Sequence, residues 1–370
     1  MKTTRLPGLL SWSLFQPDRG IDFNGFFWRR PEGRGGLMID PLALDEAGLA
    51  TVREAGGVAD VLVTNFDHLR AAPALKEAFG ARVLAPAEER ERFGDRAGVV
   101  DAWFGDELPE DLRADVQVFP IRGGKSPVEA ALYLRPLKAL YFSDLVRSHA
   151  SGALILMKDE KLADKQRVLD DLRRVLPLPF EAVLLGDGDC VWTGARDALC
   201  GFLEALPGTL FNRINLDRLE WVRRDAQPGA VSDRAQVSRY MTLRQLGFHM
   251  ARLHPGSVST AFHYETGEEE IFLVLEGRLT ARTPQGEFEL GPGDLVGFPP
   301  GPANAHQFRN DSDEPCTFLC LGNDRPQSLC FYPDTQKINV CERGELYRVA
   351  DRRSDYWEGD PTVGRDRSAK

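Results

Sequence analysis

Histidine is scarce in this chain: there are six in 370 residues, and only His68 and His149 fall before residue 206. A site that needs several imidazoles cannot be assembled from the first half alone. Cysteine is equally sparse. Cys190, Cys200, Cys316, Cys320, Cys330 and Cys341 sit in apolar, strand-like surroundings such as CTFLCL, and Cys316 and Cys320 lack CxxC spacing. They are expected to be reduced, buried thiols rather than a zinc knuckle or a disulfide framework. No apolar run reaches the ~18 residues of a membrane-spanning helix, and MKTTRLPGLLSWSLF lacks the uninterrupted apolar core of a signal peptide. The expected location is cytoplasmic, with no membrane partner. Excess positive charge is also missing. The net charge is −10, the pI is about 5.3 and no basic stripe offsets them, so nucleic acid is not expected as a partner.

What is present is an ordinary globular composition, 42% hydrophobic and 28% charged, long enough for two or three domains of ~100–200 residues each. Residues 20 to 205 alternate short apolar runs with helical periods. GLMID, ADVLVTN, ARVLAP, DVQVFPI, AALYLRP, KALYFSD and EAVLLGDG read as strands. LDEAGLATVREAG, DHLRAAPALKEAFG, AEERERFG, EKLADKQRVLDDLRRVL and GARDALCGFLEAL read as helices. This interleaving predicts a layered α/β domain over residues 1–206. From about residue 245 the helices stop. GFHMARL, EIFLVLEG, GEFEL, DLVGFP and CTFLCLG follow at barrel-like spacing, so residues 241–345 are predicted to be all-β. Residues 207–240 are expected to be a linker, and residues 346–370 a polar tail, frayed beyond Tyr356 and Trp357.

The chemistry concentrates between Gly256 and Asn310. His263, Glu265 and Glu270 lie on one side of a short hairpin and His306 on the other. A divalent ion takes three or four N or O donors converging at ~2.0–2.3 Å, and strand alternation sends His263 and Glu265 to one face. Glycines 256, 277, 291, 293 and 301 mark the corners of short strands. The bland reading of the GEEE run is a solvated acidic face.

This segment resembles the two motifs of the cupin superfamily (cupin type 2). His263 matches the first histidine, Glu270 the glutamate, with Gly277 seven residues later, and His306 the last histidine. Glu265 stands where the second histidine usually is, and four residues rather than two separate Gly301 from His306. The resemblance implies a cupin-like barrel, a double-stranded β-helix, with one divalent metal on His263, Glu265, Glu270 and His306. Two imidazoles with two carboxylates make a hard donor set that favours Mn or Fe, with Zn and Ni left open. Phe262, Phe272, Val274, Phe298 and Phe308 are expected to line a pocket for a small-molecule ligand. Glu265 is the candidate acid or base if it is not a ligand. His149, His249 and His254 are given no role, the last two because they flank a strand with no acidic partner nearby. Such barrels often pair through edge strands, so a homodimer is expected.

The first half resembles the metallo-β-lactamase fold, an αββα sandwich. The landmarks run in order: Asn24, GLMIDP with Asp40, VTNFDHLRAA, GKSPVEAALYL, LYFSDLV and LLGDG. Val63 and Asn65 stand where the family's HxHxDH motif has its first two histidines, while Asp67 and His68 match. Lys125 replaces the third histidine, Asp144 matches the bridging aspartate and Asp187 stands at the final histidine. The resemblance thus implies a vestigial site of Asn65, Asp67, His68, Lys125, Asp144 and Asp187. Lys125 is expected to pair with Asp144 or Asp187 in place of a metal. On a purely structural reading, Asp67 caps a helix and GDGD at 186–189 is a turn.

Three functions stay open on these residues. The first is a cupin-type metalloprotein acting on or binding a small organic molecule, with the first half as a non-hydrolytic scaffold. The second is a small-ligand binding module without turnover. The third is a single-metal ester or thioester hydrolase in the first half, with Asp67 in its site.

Overall fold

The computed structural model describes residues 1–348 except 151–152, 226, 244, 324, 326 and 341–344, so Cys341 and the tail beyond 348 lie outside the described residues. The chain divides into two compact units, Met1–Asn215 and Leu216–Lys370.

In the first unit two sheets face each other. One has seven strands in chain order, Lys2–Thr3, Leu9–Gln16, Ile21–Arg29, Gly36–Ile39, Val58–Leu62, Arg82–Pro86 and Ala102–Phe104; its first four pair antiparallel and the rest parallel. The other runs Ala182–Leu185, Ala139–Phe142, Glu129–Leu134, Val116–Ile121. Strand alternation divides each sheet between two cores. Phe26, Trp28, Leu37, Ile39, Leu62 and Leu84 meet Val118, Leu132, Tyr141 and Leu184 between the sheets. Phe27, Met38, Val61 and Val83 face outward onto Val52 and Leu75 of the helices Glu46–Glu54 and Ala72–Phe79. On the far side Phe119, Leu140, Phe142 and Val183 pack on Val168, Leu172 and Leu199 of Lys165–Leu172 and Ala195–Glu204. Each such side chain, fully buried, contributes ~1.5–3 kcal/mol, which makes the four-layer αββα arrangement self-consistent.

The helices start where the chain offers a cap. Asp45 accepts from the Gly48 N–H at 2.7 Å and Asp164 from the Arg167 N–H at 2.9 Å. Two strands come earlier than expected: Leu9–Gln16 and Ile21–Arg29 form a long hairpin before GLMID.

The second unit is antiparallel throughout. Its six-stranded sheet runs Val222–Asp225, Val231–Ala235, Leu246–Leu253, Cys316–Asn323, Glu270–Glu276, Leu295–Phe298. Gly286–Leu290, Leu279–Thr283 and Gln307–Arg309 make a second sheet, and Tyr264–Glu265, Leu329–Tyr332, Lys337–Val340 and Glu345–Arg348 a third. The inward residues Ala251, Phe272, Val274, Phe308 and Phe318 fill the space between. Gly277 turns the chain after Glu270–Glu276 at φ +77, where a Cβ would lie 2.6 Å from the Pro315 carbonyl.

The expected linker over 207–240 is corrected here. Val222–Asp225 and Val231–Ala235 are strands of the six-stranded sheet, paired in register from Val222↔Arg234 and onward from Ser232↔Leu253. Their polar composition hid the pairing, because both lie toward an edge where alternate side chains meet water.

Candidate functional site

His263 and His306 sit directly opposite each other in an antiparallel bridge, exchanging N–H···O bonds of 3.2 and 2.8 Å, so their side chains leave on the same face. Each ring is held by its own turn. His263 Nδ1 donates to the Ala261 carbonyl at 2.8 Å and His306 Nδ1 to that of Asn304 at 3.1 Å, which leaves Nε2 of each with its lone pair. Glu270, at the start of Glu270–Glu276, brings Oε2 to 3.3 Å from His306 Nε2. Phe298 lies against the outer face of the His306 ring, and Phe272 meets its edge.

These three side chains form one group whose donor atoms all lie within 4.8 Å of one another. His306 Nε2 and Glu270 Oε2 are buried 3.3 Å apart, and neither makes a hydrogen bond to any other group. A buried polar atom left so costs ~1–3 kcal/mol, and a divalent cation is one partner that satisfies a carboxylate oxygen and an imidazole nitrogen together. The protonation states agree. Burial, with the neighbouring His306, holds the His263 imidazole below its ordinary pKa. Burial pushes Glu270 up, but the hydrogen bond and charge of His306, with the imidazoles of His263 and His249, outweigh it and hold the carboxyl below its ordinary range. A neutral His263 and an ionised Glu270 are metal-binding forms.

Glu265 is not part of this group. Two residues along an extended strand span ~6.6 Å, so sharing a face with His263 does not bring it to Glu270. It pairs opposite Cys330, accepts from Ser328 Oγ at 2.9 Å, and forms a separate group with His263 and Cys330.

The group opens on a cavity of about 80 Å³ lined by Arg234, His249, Ala251, Ser259, Thr260, Phe272, Phe308, Phe318 and Cys320 together with the three. Of the expected lining, Phe272 and Phe308 are there. Phe298 instead backs His306, Val274 is in the core, and Phe262 packs under Arg282 with the guanidinium 4.2 Å from its ring centre. His249 and Arg234 were not anticipated. The one available signal was alternation in GFHMARL, which puts His249, Ala251 and Leu253 on one face. Burial and the charge of Arg234 pull the His249 imidazole down to about 4, so it is neutral at physiological pH. His254, expected to lack an acidic partner, bonds Asp233 Oδ2 at 2.9 Å.

In the first unit the residues of the vestigial site also converge, as a network of charges. Asp40, at φ 44, accepts from the Thr64 N–H and Oγ1, from Tyr141 Oη and from His68 Nδ1 at 2.5–2.8 Å. His68 Nε2 lies 3.3 Å from Asp144 Oδ1 and 2.8 Å from Arg70 Nη2. Burial pulls the His68 imidazole down, but Asp40 and Asp144 outweigh it and raise it to about 9. Lys125 pairs with Asp144 and, at 2.7 Å, with Asp67; Asp187 instead has Arg147 at 3.5 Å. Four carboxylates thus face one lysine, two arginines and His68, whose Nε2 needs a lone pair for its contact with Arg70 while Asp40 and Asp144 favour the protonated ring. The helix cap here is Asn65, which accepts from the Asp67 N–H at 3.0 Å, so Asp67 is free to meet Lys125. Asp187 turns its backbone back on Phe23, and Gly188 beside it sits at φ +84 against Ser148.

The five described cysteines are unbridged; Cys316, Cys320 and Cys330 are buried, Cys190 and Cys200 half-buried. Among the described residues no helix is long and apolar enough to cross a membrane.

Comparison with known proteins follows the two units. A family model of the metallo-beta-lactamase superfamily matches residues 1–206, and a cupin domain model matches residues 249–322. No curated protein matches the chain. Among solved structures, a putative sugar phosphate isomerase from Acidithiobacillus ferrooxidans is 32% identical over 38% of this chain and 91% of its own, with a TM-score of 0.35. A cupin superfamily sugar phosphate isomerase from Silicibacter pomeroyi is 31% identical over 37% and 92%, with a TM-score of 0.34. A metallo-beta-lactamase from Pontibacter korlensis is 16% identical over 56% and 98%, with a TM-score of 0.45. With more than half its length inside the first match, the chain belongs to the metallo-beta-lactamase superfamily, and its second unit carries a cupin domain.

Proposed function

We propose that the second unit binds one divalent metal through His263, Glu270 and His306 and uses it to hold, and act on, a small organic molecule in the adjoining cavity. The observation that carries this reading is the convergence of His263, Glu270 and His306, whose donor atoms lie within 4.8 Å of one another, with His306 Nε2 and Glu270 Oε2 buried and bonded to no other group. When bound, such an ion supplies Lewis acidity toward a substrate oxygen. The chain itself does the rest. Phe272, Phe308 and Phe318 exclude water, and His249, a neutral imidazole on the cavity wall, is placed to hydrogen-bond a substrate oxygen. Glu265 does not line the cavity and is not placed as its acid or base.

The first unit serves in this proposal as a non-hydrolytic scaffold. Lys125 pairs with Asp67 and Asp144, and His68 lies between Asp40 and Asp144, while Asp187, with Arg147 at 3.5 Å, keeps two buried oxygens without a hydrogen-bond partner.

The test is elemental analysis of the purified full chain after growth in metal-rich medium. About one Mn, Fe, Zn or Ni per chain is expected, falling with His263→Ala plus His306→Ala. Less than about 0.2 per wild-type chain sinks the proposal.

A further inference from the structure

Arg234 lies beside the three candidate ligands without a counter-ion. It projects from Val231–Ala235, opposite Ala251, whose methyl group leaves the guanidinium room to reach the cavity. Its Nη2 donates to the Ser259 carbonyl at 3.3 Å, while Nε is buried and has no partner. Among the described residues no carboxylate lies within ion-pair distance of it. The charged groups acting on it are Arg224, a second cation, and Glu270. Arg234 is half-buried, and its Nε–H, closed off from water, is costly to leave without an acceptor.

The ligand that completes it is constrained in three ways. A guanidinium edge with a free Nε–H receives a planar, two-oxygen anion side-on. Three protein donors leave one open position on a four-coordinate ion and three on a six-coordinate one, for further oxygens. A cavity of about 80 Å³, at ~10–15 Å³ for each water-sized position, holds about five to eight heavy atoms. His249 at the wall is a neutral imidazole, able to bond a hydroxyl or carbonyl oxygen.

We infer that Arg234 is an anion-receiving residue of this site and that the ligand is a short carboxylic acid, two to four carbons long, with a hydroxyl or carbonyl oxygen beside the carboxylate. The carboxylate docks on Arg234, and the adjacent oxygen faces His263, Glu270 and His306. This rests on the cavity being the binding site proposed above.

Calorimetric titration of the full chain, metal-loaded and after chelator treatment, tests it with glycolate, ethylene glycol as the uncharged analogue, and inorganic phosphate. Glycolate is expected to bind both forms, more tightly with metal, and ethylene glycol to bind at least tenfold more weakly. Arg234→Gln should lose at least tenfold in glycolate affinity while keeping its metal content, because Arg234 is not a ligand. Arg234→Lys keeps the charge but not the fork, and should lose affinity partially; it also serves if the glutamine variant fails to fold. Glycolate binding unchanged in both variants overturns the inference, and phosphate binding tighter than glycolate overturns the carboxylate assignment. Absence of metal from a wild-type chain that still binds glycolate through Arg234 sinks the metal reading alone, so the two failures are distinguishable.

Discussion

Phe298 lies nearly flat on the His306 imidazole, ring centroids 4.0 Å apart and planes 19° from parallel. With Nδ1 tied to the Asn304 carbonyl, the stacked ring has one orientation, and Nε2 points at Glu270. Phe298→Ala is therefore expected to act on the metal site without touching a ligand. Freed rotation should weaken metal retention about tenfold, the lower range for a lost outer support. The half-buried ring's removal should lower stability by ~1–3 kcal/mol. Metal titration and urea unfolding of the variant check the two effects separately; unchanged metal affinity would show that the stacking is packing alone.

Glu265 and Glu270, both candidate ligands by resemblance, should behave differently. Glu270 Oε2 is buried beside His306 and bonded to no other group, whereas Glu265 accepts from Ser328 Oγ. Glu270→Gln is expected to drop metal content below about 0.2 per chain, and Glu265→Gln to leave it unchanged, since a neutral amide is a poor ligand for a hard cation. Elemental analysis of both proteins decides it. Loss in the Glu265 variant with retention in the Glu270 variant would move the centre to His263, Glu265 and Cys330.

How much of this could be read from the sequence depended on whether a motif marked it. His263, Glu270 and His306 were legible through their resemblance to the cupin motifs, although His263 and His306 pair 43 positions apart in the chain. Glu265 misled because alternation fixes its face but not its reach. Arg234 and His249 carry no such motif and meet through the pairing of Val231–Ala235 with Leu246–Leu253, the first of which is too polar to read as a strand. No local pattern in RRDAQPGAVSDRAQ announces a strand. In the first unit the alternation of strands and helices pointed to a layered α/β domain, and the resemblance to the metallo-β-lactamase fold to the αββα sandwich. The exact partners of Lys125 and Asp187 depended on where loops ended, which periodicity does not encode.

Lys125 holds two carboxylates, Asp67 and Asp144, and both would otherwise face each other across the same pocket. Burial pulls the ammonium's pKa down, but Asp144 and Asp67 outweigh it and raise it, so the lysine stays charged. Lys125→Met should destabilise the first unit by ~1–3 kcal/mol at pH 7, less than a fully buried pair because Lys125 is only partly enclosed. The melting temperature of the full chain should fall. Zinc or iron bound in stoichiometric amount by the wild-type first unit, with an unchanged melting temperature in the variant, would instead support a residual single-metal site there.

His68 gives the pH dependence its direction. It is buried between Asp40 and Asp144, and its folded pKa is about 9, against ~6.5 in an unfolded chain. A group whose folded pKa is raised contributes stability that is complete below ~6.5 and is lost as pH rises through about 9. The amount is on the order of 3 kcal/mol, because the difference between the two pKa values is itself a free-energy difference between the protonation states. Glu129, pushed up to about 7 by burial and the charge of Asp144, works in the same sense at lower pH. Asp40 and Asp144 are held below the ordinary carboxylate range, so their contribution disappears on acidification instead. Stability of the first unit should therefore be greatest in mildly acidic solution and decline toward pH 9. Hydrogen exchange of the buried amides around Val61 and Val63, followed from pH 5.5 to 9 and corrected for intrinsic rates, isolates this unit. His68→Gln should flatten the alkaline decline, because glutamine keeps a donor toward Asp40 but has no proton to lose; a slope equally steep in the variant would assign the decline to other groups.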